Sequence, residues 1–89
     1  MLKNILSKIW IKFSYKRLKL LCDKMECQFQ LAKKNDLLLS LRLESELTHN
    51  QRFIVEDMYK KNKSVMFRLC KEIVKTEMLM EKLKQNNNN

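Results

Sequence analysis

Neither glycine nor proline occurs among the 89 residues of this chain, where average usage would place about ten of the two together. Hairpin turns with positive φ, phosphate-cradling loops and the sharp turn that presents a nucleophile all lean on glycine, so those architectures are disfavoured together. Long helices lose nothing. Acids are missing from the start as well: the first is Asp23, after 22 residues that hold six Lys or Arg side chains. No apolar run reaches membrane-spanning length, because Lys3, Lys8, Lys12 and Lys16 interrupt the most hydrophobic region, and the same lysines exclude the apolar core of a secretory signal. Three cysteines, Cys22, Cys27 and Cys70, are an odd count. That favours reduced thiols in an intracellular, cytoplasmic setting over a disulfide framework.

Apolar residues recur at alternating steps of four and three, the spacing that keeps one stripe of a helix against a neighbouring helix. From Ile11 the steps land on Tyr15, Leu18, Cys22, Met25, Phe29, Ala32, Asp36, Leu39 and Leu43, and only Asp36 is not apolar. A second register runs Val55, Tyr59, Asn62, Met66, Leu69, Ile73, Thr76, Met80 and Leu83, with Asn62 and Thr76 as its polar members. Asn62 and Thr76 are expected to fix register or partner number at some cost in stability.

Between the registers, Thr48 and Gln51 stand three apart as in a capping box. The expected fold is all-α: an antiparallel helical hairpin with coiled-coil-like packing, formed by a helix over 2–47, a turn at 48–50 and a helix over 51–85, with 86–89 a disordered Asn tail. A second arm of this length, about 52 Å at the helical rise, leaves residues 1 to about 12 of the first unpaired. The alternatives are a short three-helix bundle, using a break at KKND (33–36) or KKNKS (60–64), where Asn and Asp or Ser can end and restart a helix, and a long, nearly unbroken helix that dimerises. Alternation at Ile9, Ile11, Phe13 and Tyr15 and at Leu39, Leu41 and Leu43 also admits a small antiparallel sheet, which the helix-forming Leu, Lys, Glu and Arg oppose.

The charge is concentrated. Residues 1–22 supply six of the nine net positive charges. On a helix, Leu2, Ile5, Leu6, Ile9 and Phe13 cluster away from the Ile11 stripe, with Trp10 at their border and Lys3, Lys8, Lys12 and Lys16 on the flanks. An apolar face edged by lysines suits a protein partner or a second copy, an acidic surface, a nucleic-acid backbone or an anionic membrane. These ten residues are the expected partner-binding set. Lys outnumbers Arg by 15 to 4, which leaves few forks for bidentate base readout.

Chemistry is sparse. Cys22 and Cys27 stand about 140° apart round a helix, and no His-x-x-x-His or Cys-x-x-Cys pair is present, so no metal site is expected. His49 falls at the corner between the arms with no catalytic companion in sequence. The segment ELTHNQRFIVEDMYKKNKSVMFRLCKEI, residues 46–73, resembles the opening of a sigma-factor-like helix-turn-helix, with Val74 where that family has a glycine in its tight turn. In outline the expected shape is similar to the short coiled-coil stalk and chaperone components of bacterial secretion machines, a likeness that assigns no residue a role. The sequence thus points to a non-catalytic interaction or adaptor protein, with no cofactor and no small-molecule substrate. Nucleic-acid binding through Lys-rich helices and peripheral membrane binding through the N-terminal amphipathic helix are its alternatives.

Overall fold

With no helix breaker available, the backbone stays helical for as long as the side chains allow. The structure, a computed structural model, describes residues 2–88, and side chains over 5–85. It consists of two helices, α1 (Leu2–Glu44) and α2 (His49–Asn88), packed against each other as an antiparallel hairpin. No strand occurs among the described residues, and neither KKND nor KKNKS interrupts its helix. The three-helix alternative and the helix-turn-helix resemblance are therefore not realised, since α2 runs unbroken through Val74.

The corner explains both helix bounds. α1 ends three residues before the expected 47 because Ser45 turns back on Arg42: its amide donates to the Arg42 carbonyl at 3.2 Å and its hydroxyl to the same oxygen at 2.6 Å. The capping box forms as its spacing predicts. Thr48 N–H donates to Gln51 Oε1 at 3.1 Å, and Gln51 N–H donates to Thr48 Oγ1 at 3.2 Å. Thr48 is thus the N-cap and Gln51 the third helical residue, which places the start of α2 at His49 rather than at 51. Arg52 Nη1 donates to the Leu43 carbonyl at 3.2 Å, laying a cation on the negative end of α1. None of the described residues has positive φ, so the bend needs no glycine. Helix α2 continues through Asn88, into the segment expected to be disordered.

Every member of both stripes is buried or half-buried, and among residues 5–85 only Ser14, Ser40 and Leu47 are shielded to the same degree outside them. The most enclosed side chains are small: Cys22, Ala32 and Thr76, with Leu69. Two cylinders touching along one line shelter only atoms close to that line, so a larger side chain projects past the seam and stays half-exposed.

Polar groups set the alignment. Asn62 Nδ2 donates across the seam to the Ala32 carbonyl at 2.9 Å, and Lys63 Nζ lies 3.1 Å from Asp36 Oδ1 and 5.1 Å from the centre of the Tyr59 ring. The two segments that read as helix breakers therefore face each other and lock the hairpin. Thr76 does not bridge: its hydroxyl donates to the Glu72 carbonyl of its own helix at 2.7 Å. The molecule is a rod of 71 × 15 × 14 Å with a radius of gyration of 20.0 Å, where a compact domain of this length would have about 12 Å.

Candidate interaction surface

A two-helix rod has no second layer, so apolar residues off the seam must face outward. Ile5, Leu6, Ile9, Trp10 and Phe13 are all exposed, Trp10 and Phe13 at 68% each. Lys8, Lys12 and Lys16 are exposed beside them. The structure thus brings eight of the ten expected residues onto the open end of the hairpin, off the seam; the side chains of Leu2 and Lys3 lie outside the described ones. The unpaired stretch is shorter than the expected dozen residues, because Trp10 and Leu18 share a cleft of about 620 Å³ with Leu79, Lys82 and Leu83 of α2. Ser14, Arg17 and Leu21 complete that cleft, whose lining is mostly apolar with two cations, Arg17 and Lys82.

Cations outnumber acids at this end, where Glu77 and Glu81 of α2 lie beside Tyr15. No acid lies in the first turn of α1, so the positive end of its dipole has no carboxylate of its own. A negative partner placed there would relieve both.

A second apolar surface lies at the hinge end, and sequence reasoning did not anticipate it. Leu31, Leu37, Leu38 and Leu41 of α1 and Phe53, Ile54 and Met58 of α2 are exposed, Phe53 at 72%. Its signal was present as the run DLLLSLRL (36–43), too rich in leucine for one two-helix seam to shelter.

The described residues hold one cluster of ligating atoms: Cys22 Sγ and carboxylate oxygens of Glu26 and Glu77 lie within 4.8 Å of one another. The partners come from both helices, so sequence spacing alone could not show the grouping. Burial, and then the charges of Glu26, Glu77 and Asp23, push the Cys22 thiol above its ordinary pKa. A thiol so held stays protonated at neutral pH and is a poor metal ligand. Cys27 and Cys70 are free and exposed, and both line an open groove of about 850 Å³. No helix among the described residues is long and apolar enough to cross a membrane. Compared with known proteins, the chain matches no family model, no curated protein and no solved structure.

Proposed function

We propose that this chain is a non-catalytic helical interaction subunit, which self-associates or docks into a larger assembly through the outward face of its basic, aromatic N-terminal helix. The supporting observation is surface area. The chain exposes 7795 Å², whereas a compact monomer of its mass would expose about 5,500 Å². The difference, on the order of 2,000 Å², exceeds what one partner contributes to a standard interface. Much of it is apolar: side chains such as Leu6, Trp10, Phe13 and Leu20 are each more than half exposed. A contiguous surface of that kind marks an association site.

Sedimentation of the full chain beside one lacking residues 2–12 tests the reading. The full chain is expected above monomer mass with a concentration-dependent distribution, and the shortened chain as a predominantly monomeric species. A full chain that stays monomeric up to about 1 mM, where even an interaction of about 4 kcal/mol would show, removes self-association and leaves only docking onto a different protein.

A further inference from the structure

We propose that the partner is a second copy of this chain, laid antiparallel so that the open end of each hairpin covers the hinge end of the other. The inference rests on the interaction reading above and adds an occupant and a direction. Its first support is the layout of α1. The outward side of that helix carries one apolar patch near its start (Leu6, Ile9, Trp10, Phe13, Leu20) and another near its end (Leu31, Leu37, Leu38, Leu41). Between them the exposed side chains include Asp23, Lys24, Cys27 and Gln30. Trp10 and Leu38 stand symmetrically about Lys24, some 28 residues or about 42 Å apart on the helix. Turning one copy end for end about that point lays each patch on the other, the self-complementary arrangement that a twofold axis requires.

Charge supplies the direction. Residues 1–22 carry six cations and no acid, while residues 31–58, which hold the hinge-end patch, carry Lys33, Lys34, Arg42 and Arg52 against Asp36, Glu44, Glu46, Glu56 and Asp57, a net charge of −1. A parallel pair would set six cations against six. The antiparallel pair sets them, twice, against the end that holds five of the ten acids, and brings carboxylates to the positive end of each α1 dipole. A membrane or a polyanion would meet the basic end alone, leaving the apolar hinge end uncovered beside its acids. The surplus area agrees: on the order of 2,000 Å² per copy is what an obligate homodimer of ordinary size covers.

A charge exchange in the full chain tests the arrangement, with helicity by circular dichroism as the folding control. Lys8, Lys12, Glu44 and Glu56 are all exposed, so their exchange leaves the seam intact. Lys8→Glu with Lys12→Glu is expected to weaken the dimer at least tenfold by sedimentation, as is Glu44→Lys with Glu56→Lys. The chain carrying all four changes is expected to recover dimerisation, and an equimolar mixture of the two double variants to form a mixed dimer. Association that the fourfold exchange fails to restore overturns the antiparallel arrangement and leaves the interaction reading standing. A monomer whose Trp10 emission shifts to the blue with anionic phosphatidylserine vesicles overturns the second copy in favour of lipid. A chain that stays monomeric at about 1 mM removes the inference and leaves only docking onto a different protein.

Discussion

Asn62 occupies a seam position with a group that must be hydrogen-bonded wherever it is shielded from water. Its amide finds the Ala32 carbonyl, and sliding the helices by one turn would separate donor from acceptor, so this residue specifies alignment more than it adds cohesion. Cys22 lies farther along the seam and is 5% exposed. Its pKa is raised above the ordinary 9.0, chiefly by burial. A group whose pKa rises on folding stabilises the fold fully below its unfolded value, and that contribution is lost as pH rises through the folded value. The hydrogen bond to Asp36, with one to Tyr59, raises the Lys63 pKa in the same sense from 10.5. The melting temperature is therefore expected to hold level up to about pH 8.5 and to fall above pH 9, the thiol contributing first. Cys22→Ala should flatten the first part of that decline when thermal unfolding is followed from pH 7 to 10.5. An identical pH profile in the variant would refute the assignment.

The elements themselves follow from local sequence at almost every point. Each stripe could be placed residue by residue because a side chain covered by only one neighbour must recur at three and four, and a chain without glycine or proline gives that pattern no interruption. Asn62 stands on the stripe as a register residue, but the sequence does not show what it pairs with or that KKND and KKNKS stay helical. Asn35–Asp36 and Asn62–Lys63 satisfy the local chemistry of a helix stop as well as that of an interhelical lock, and only the pairing of the two arms decides between them. The bounds were missed for a narrower reason: the capping box at Thr48 and Gln51 was recognised, yet its first member is the cap and the helix begins one residue later. Loss of that cap is measurable. Thr48→Ala should destabilise the fold by about 1 kcal/mol, a drop of about 4–8 °C in melting temperature at this chain length. The substitution leaves the seam untouched, so helicity at low temperature should be unchanged. A variant that melts with the parent would show that the corner contributes nothing.

At the scale of the whole molecule, length decides what is exposed. Eighty-nine residues folded once give a rod of 71 Å, and a rod exposes both flanks of every helix. The open-end patch was legible because acids are absent from residues 1–22, so apolar and basic side chains stand out without any fold. The hinge-end patch was not, because Leu37, Leu38 and Leu41 lie off the stripe that holds Leu39 and Leu43, where the third helix of a bundle would equally have covered them. An antiparallel dimer overlaps along its full length, so X-ray scattering should show twice the chain mass with a radius of gyration still close to 20.0 Å. An end-to-end pair would raise that radius well beyond it.

The corner between the helices is held by a few hydrogen bonds at exposed positions, whereas contact between the arms extends along the seam from Ile11 and Leu83 to Leu43 and Val55. Recognition between the arms is thus distributed along their length and owes little to the peptide link that joins them. Severed between Ser45 and Thr48, the two halves would still carry matched faces, with the Asn62 amide choosing one alignment among the many that two greasy stripes allow. The link between Ser45 and Thr48 is where foreign sequence could be grafted, provided that Thr48 and Gln51 stay at the head of the second half.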